Sequence, residues 1–492
     1  MNPNLNEGIA QRLLQTLVMG GLYACASAPV EPPSPELTTA GRLAMAPALV
    51  DTARELLAPP DNHPGKALFE KPLAGTNGRS CATCHVLDDA TTLRPENVQA
   101  RLEENPDDPL FDRLDADDPN AEVLGFEHLK KGLVRVVLPL PANMDVIDLD
   151  GNVTTPHDRN IFVWRGVPSV SNTAITGPYQ LDGRQATLEE QAQAAITGHS
   201  EGPLVSRAEL EQIADFQRGA FSSPRAWLVS RLLGLGLPLD EVPIPEEFMP
   251  LSATEKRGRD VYDAACQACH GSATTDRIVD RETHDLFFYE LGPDGNVRFE
   301  IVDGHPVAVP LARPNDEFIN IGLGVATYLG QVGVAPAFND DVEFPRYRFR
   351  FYSDGSRTQK VVDLPPVPVT RSGDPLDLRP ALDSRGAPIV GPNRVPQLFS
   401  TDPGRAVISG DPADFEAFDV NPLRGIARTA PYFHDNSHAS LREVVDTYSR
   451  FILSAITPLR LPRVHPPEAP GAPGETLSVQ QKHDLIAFLN RL

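Results

Sequence analysis

Methionine and tryptophan are scarce in this chain of 492 residues: there are 5 methionines, the last of them Met249, and 2 tryptophans. Beyond Met249 there is therefore no thioether sulfur to offer a metal. Basic residues are outnumbered, with Lys+Arg 44 against Asp+Glu 67 and a formal net charge of -23. That balance argues against nucleic acid or an anionic membrane surface as a partner, and suits a basic one. The apolar run from Leu13 to Ala24 falls short of the ~20 residues that a bilayer-spanning helix needs, so no transmembrane span is expected. Continuous helix bundles are excluded by 49 prolines, which call for long irregular connections.

What the N-terminus has is a run of the right length for the apolar part of a secretory signal. It ends in "LYAC", which resembles a bacterial lipoprotein cleavage box with Cys25 as the lipidated residue. The organisation expected is a signal or lipoprotein segment over 1–25, a Pro/Ser/Glu-rich tether over 26–45, and globular structure beyond. Export to the periplasm or cell envelope follows, with a lipid anchor on Cys25.

The chain has 5 cysteines, and all but Cys25 fall into two copies of one signature: "CATCH" (Cys81, Cys84, His85) and "CQACH" (Cys266, Cys269, His270). Cys-x-x-Cys-His is the spacing of c-type haem attachment, in which two thiols add to porphyrin vinyl groups and the adjacent imidazole binds iron. A four-cysteine zinc site would leave both histidines unexplained, and a redox dithiol needs no histidine at that place. Two covalently bound haems c are the expected cofactors. Each signature follows a short amphipathic stretch, and the chain closes with "LSVQQKHDLIAFLNRL", where Ser478 can cap a helix that turns Leu485, Ile486, Phe488 and Leu489 inward. The fold expected is mainly α, with two cytochrome c-like haem domains (46–245 and 246–492), irregular loops, and a small β appendage within an insertion at about 275–410. The β-prone segments are "GLVRVVLPLP" in the first half and "VRFEIVDGHPVAVP" and "YRFRFYSDG" in the second. His284 and His305 lie in the insertion and are not read as ligands.

A second repeat is less conspicuous. "TGPYQLDGRQATLEEQAQAAI" (176–196) aligns without gaps on "TAPYFHDNSHASLREVVDTYS" (429–449), at an offset of 253. Each copy leads into a capping box, Thr187/Glu190 and Ser440/Glu443. In this register Tyr448 stands where the first copy has Ala195. If the stripe Leu441, Val444, Val445, Tyr448 covers the distal side of the second haem, that iron has a phenol above it. The first haem has only a methyl group and should be open to peroxide or oxygen. Gln191, on the same stripe as Ala195, could orient a bound peroxide, and Glu201 in the following turn could move a proton.

Together these blocks resemble the bacterial di-haem cytochrome c peroxidases and, among them, the MauG-like branch. The resemblance implies that His85 and His270 are proximal ligands and that Tyr448 is the distal ligand of the second haem. It further implies Gln191 and Glu201 as distal groups of the first. It implies hydrogen peroxide as oxidant, with a small electron-donor protein or a protein substrate as partner. A hard phenolate in place of the methionine found in the peroxidases favours ferric and higher states. The backbone of Thr429 and Pro431 would hold a calcium ion between the domains, but the side-chain ligand of that site falls on Gly166. The tryptophan between the haems is Leu181, which leaves Tyr179 or Trp164 as substitutes or as plain core. An electron-transfer cytochrome without peroxide chemistry, and an oxygenase acting on a hydrophobic substrate, are the competing readings.

Overall fold

The structure is a computed structural model that describes residues 62–278, 290, 292, 298–302, 305–309, 318–324, 327, 337–365, 399–453 and 476–492. The signal segment, the tether, Cys25 and His284 lie outside the described residues. No helix among the described residues is long and apolar enough to cross a membrane.

Two helix pairs organise the molecule. In the first half, α1 (Pro64–Glu70) runs toward the first signature, which forms the short helix α2 (Cys81–Cys84); α3 (Pro95–Glu104) follows. The repeat helix α4 (Leu188–His199) is succeeded by α5 (Arg207–Arg218) and α6 (Pro224–Gly234). In the second half, α7 (Ala253–Ala265) runs into Cys266, then come α8 (Ala406–Ser409), the repeat helix α9 (Leu441–Thr447) and the closing helix α10 (Val479–Leu489). Capping boxes start α4, α5, α7, α9 and α10, each satisfying backbone N–H groups that a helix start leaves open.

The pairs α1/α5 and α7/α10 cross in the same way. A Cβ on Gly65 would lie 1.9 Å from the carbonyl oxygen of Gln212, and one on Gly258 would lie 1.9 Å from that of Asp484. Only glycine permits backbones to approach this closely. One turn on, Phe69 packs on Phe216 with ring centroids 5.0 Å apart, and Tyr262 packs on Phe488 at 5.3 Å.

The strands correct the expected fold class. The described structure is mixed, with about 38% helix and 14% strand, rather than mainly α. "GLVRVVLPLP" supplies β1 (Leu133–Pro139), which pairs antiparallel with β3 (Asn160–Gly166). Between them β2 (Met144–Val146) pairs with β7 (Phe349–Tyr352), which pairs with β8 (Lys360–Leu364). A hairpin, β4 (Phe299–Val302) and β5 (His305–Ala308), and a short pair, β6 (Phe318–Ile319) and β9 (Phe418–Asp419), complete the set. The three-stranded sheet is not an appendage of the second half. Phe349 and Phe351 close one core with Leu129, Val136, Met144 and Val163, so the insertion finishes a core begun in the first half. Buried Arg165 makes the same link in charge, meeting Asp182 at 2.5 Å and Asp402 at 2.6 Å.

Candidate haem sites and the cavity between them

The loop repeat read from the sequence is a repeat of backbone geometry. Asn172 and Gly425 have φ of 71° and 83°, Gln180 and Phe433 of 68° and 69°, and Gly183 and Asn436 of 63° and 54°. Each pair is related by the offset of 253. The Tyr179 hydroxyl donates to the Thr173 carbonyl at 3.0 Å, and that of Tyr432 to the Ile426 carbonyl at 3.0 Å. These are structural tyrosines, and Tyr179 lines the cavity while its hydroxyl is engaged.

Both signature histidines are held in the same manner. His85 Nδ1 lies 3.0 Å from the carbonyl oxygen of Thr91, and His270 Nδ1 lies 3.3 Å from that of Thr275. A carbonyl only accepts, so Nδ1 carries the hydrogen and Nε2 is left with its lone pair, the state in which imidazole binds a metal. The threonines are themselves fixed: the Val170 N–H donates to the Thr91 hydroxyl at 3.0 Å and the Leu423 N–H to that of Thr275 at 2.9 Å, again at the offset of 253. Burial pushes the His270 imidazole down to about 4 and lowers that of His85, so both rings are neutral near pH 7.

Cys81, Cys84, Cys266 and Cys269 form no disulfide with one another. Burial raises the Cys81 and Cys266 thiols to about 12 and that of Cys84 to about 11. Such thiols remain protonated, which disfavours a reactive dithiol. No group of three His, Cys, Asp or Glu side chains among the described residues forms a metal site of its own.

One cavity joins the two signatures. His85, Cys81 and Cys84 line it at one end, and His270, Cys266 and Tyr448 at the other. Although the chain is strongly acidic, the charged side chains along this cavity are mainly cations: Lys71, Arg79, Arg165, Arg184, Arg424 and Arg428, against Glu416 and Asp419. Free imidazole lone pairs, adjacent thiols and apolar walls fit two haem groups; Arg79, Arg165, Arg184 and Arg424 are ion-paired with Asp115, Asp182, Asp402 and Glu246.

Ala195 and Gln191 line the first end and Tyr448 the second, as the repeat requires. At Tyr448 the helix changes character: α9 stops at Thr447 and residues Tyr448–Ile452 form a π turn, whereas α4 runs without interruption to His199. The wide turn is anchored at buried Ser449, whose carbonyl accepts from Thr476 N at 3.0 Å and whose hydroxyl accepts from Leu477 N at 2.9 Å. Single π turns inside α-helices are rare and concentrate at functional sites. Burial raises the Tyr448 phenol well above its usual range, so ionisation there requires a cation close by.

Other expected residues fall elsewhere. Glu201 is exposed, has φ of 49° and does not line the cavity, so it is not the poorly solvated acid the sequence suggested. Trp164 is plain core: it is buried and stacked on His128 with centroids 4.1 Å apart, away from the cavity. Thr429 and Pro431 line the cavity, but the space beside Gly166 belongs to Asn436, whose Oδ1 would meet a Cβ there at 2.2 Å and whose amide donates to the Lys131 carbonyl at 2.9 Å. The side-chain position of the expected calcium site is thus occupied from the other repeat.

Sequence reasoning missed two cavity histidines. His434, the counterpart of Leu181, is buried, stacks on Phe418 with centroids 4.0 Å apart and leaves Nδ1 without a partner. His199 ends α4 and lines the cavity near His85. The repeat register could have flagged His434; nothing local distinguishes His199 from a helix-end histidine facing solvent.

Residues 63–219 match the family described as di-haem cytochrome c peroxidase. No curated protein matches the chain. Solved structures give distant likenesses: a MauG-like protein associated with microbial copper homeostasis is 20% identical over 89% of this chain and 93% of its own, with a TM-score of 0.37. The diheme peroxidase BthA from Burkholderia thailandensis is 16% identical over 86% and 84%, with a TM-score of 0.33, and hydrazine synthase from Kuenenia stuttgartiensis is 13% identical over 95% and 97%, with a TM-score of 0.35. At these scores the overall likenesses carry no argument. The match over residues 63–219 does: that stretch carries a di-haem cytochrome c peroxidase domain, which gives the chain the character of a haem oxidoreductase.

Proposed function

We propose that this chain is an exported c-type di-haem peroxidase of the MauG-like kind. One haem is attached through Cys81 and Cys84 with His85 as proximal ligand, and the other through Cys266 and Cys269 with His270 on one side and Tyr448 on the other. Haem iron supplies the redox chemistry; the protein decides which iron meets peroxide. The observation that carries the reading is that Ala195 and Tyr448 occupy the same place in two copies of one loop–helix unit and both line the cavity joining the signatures. A methyl group leaves room for a small oxidant and cannot ligate, while a phenol can close its site.

Gln191 on the same stripe as Ala195 offers an amide that orients peroxide without carrying charge. A Tyr448 ligand would favour the more oxidised state of the haem it holds, which would let that haem supply an oxidising equivalent to a small electron-donor protein or to side chains of a protein substrate. The acidic surface suits a basic partner. The N-terminal segment fits export, with Cys25 as a site for a lipid anchor.

The test is a Tyr448→Phe variant in the haem-loaded protein. Loss of one low-spin ferric signal, with haem content unchanged at two per chain, is the expected result; an unchanged low-spin spectrum sinks the assignment. Rapid mixing of the diferric protein with peroxide then separates the outcomes. A high-valent state shared by both haems supports the MauG-like reading, and return to ferric only with an added small cytochrome supports a simple peroxidase.

A further inference from the structure

The second loop–helix unit differs from the first in more than Tyr448. At the offset of 253, His438 stands where the first unit has Gln185, Thr447 where it has Ala194, and Ser449 where it has Ile196. The backbone gives His438 and Gln185 the same start: His438 pairs with Tyr432 in an isolated antiparallel bridge, as Gln185 does with Tyr179. From there the His438 side chain reaches the end of α9. Its Nε2 lies 2.5 Å from the Thr447 hydroxyl, and its Nδ1 lies 2.9 Å from that of Ser437. Ala194 offers no partner for such a bond.

Tyr448 is therefore flanked by tied residues on both sides. Before it, Thr447 is held by His438, and Asp446 meets the buried Lys482 of α10 at 2.8 Å. After it, the Ser449 hydroxyl and carbonyl take the N–H groups of Leu477 and Thr476. Phe433 lies alongside the phenol, with ring centroids 6.4 Å apart, and is met edge-on by His438 at 4.6 Å. In the first unit Ile196 instead joins an apolar cluster with Phe69, Ala192 and Ile213, and α4 keeps its ordinary turn. A π turn is rarely adopted, and this one starts between two residues that are bonded to groups outside the helix.

We propose that His438, Thr447 and Ser449 are positioning residues that clamp the Tyr448 phenol beside the second signature, and so keep that end of the cavity closed to small ligands. They act through the helix end and through Phe433 rather than on the ligand itself. Groups that orient a metal ligand in this way set how firmly it holds its place. A phenol on a free helix end can swing aside when a small anion competes for the metal. One whose neighbours are fixed on both sides can retreat only after those bonds break. The closed state of the second site is thus a property of the ties around Tyr448 as well as of the tyrosine.

This inference rests on Tyr448 ligating the second haem, and its test keeps the two apart. In the haem-loaded ferric protein the readout is the low-spin signal that Tyr448→Phe removes, followed by electron paramagnetic resonance as cyanide is added. The parent should keep that signal. Thr447→Val, which retains the shape of the side chain without its hydroxyl, should lose it to cyanide about 10-fold faster, as the loss of one hydrogen bond implies. His438→Phe, which keeps a ring against Phe433, and Ser449→Ala, on the other side of the turn, should act in the same direction. Thr447→Ser keeps the hydroxyl and should stay at the parent rate. The inference is overturned if Thr447→Val and His438→Phe, each with two haems per chain, yield the signal no faster than the parent. It is equally overturned if Thr447→Ser yields it as fast as Thr447→Val, or if the parent itself gives it up at once. Should Tyr448→Phe leave the low-spin spectrum unchanged, the ligand assignment under the proposed function is what falls.

Discussion

The two loop–helix units, 176–196 and 429–449, share their turn geometry, their tyrosine hydrogen bonds and their capping boxes, and the residues just before them, Val170 and Leu423, grip alike the threonine that fixes each signature histidine. They part at one turn of helix. In the first unit α4 continues past Ala195 to His199; in the second α9 opens into a π turn at Tyr448, clamped through Ser449 by the segment that leads into α10. A duplicated scaffold therefore presents two unlike surroundings to one cavity through a change of one side chain and one turn. The difference lies at Ala195 and Tyr448, while the two signature histidines are held alike, down to the threonine carbonyls.

The comparison breaks most completely if one attachment is removed. Cys81→Ala with Cys84→Ala should leave one haem per chain by pyridine haemochrome assay and abolish peroxide reduction. The matching pair at Cys266 and Cys269 should also leave one haem, with cyanide binding retained at the other. Making the distal sides alike is the next largest change. Ala195→Tyr should convert the open ferric haem from high-spin to low-spin in electron paramagnetic resonance and block its reaction with peroxide.

The helix pairs provide the finest comparison. Gly65→Ala and Gly258→Ala each force a methyl group into a carbonyl of the partner helix, and each should cost about 1–3 kcal/mol. The Soret shift should appear at the first haem for Gly65→Ala and at the second for Gly258→Ala.

Much of the site was legible because its chemistry is local. Cys-x-x-Cys-His is a contiguous motif, a capping box spans four residues, and an ungapped repeat needs only register to place Tyr448 opposite Ala195. The closing helix was legible for the same reason, since Ser478 caps it and Leu485, Phe488 and Leu489 fall on its buried side. The partner helix α5 in the first half carries the same role with a different sequence, and its pairing with α1 is visible only where Gly65 meets Gln212.

What the sequence determined by itself is the haem-peroxidase character of the chain, the two Cys-x-x-Cys-His signatures and the register that sets Ala195 against Tyr448, because those depend on residues near one another along the chain. Only the tertiary structure decided which neighbours reach the cavity. It left Glu201 exposed and His199 lining the cavity, since a side chain's surroundings at a helix end depend on what packs there from elsewhere in the chain. It filled the place beside Gly166 with Asn436, and it used strands from the C-terminal insertion to complete a first-half core. Those outcomes rest on contacts between residues far apart in the chain, and no local pattern encodes them.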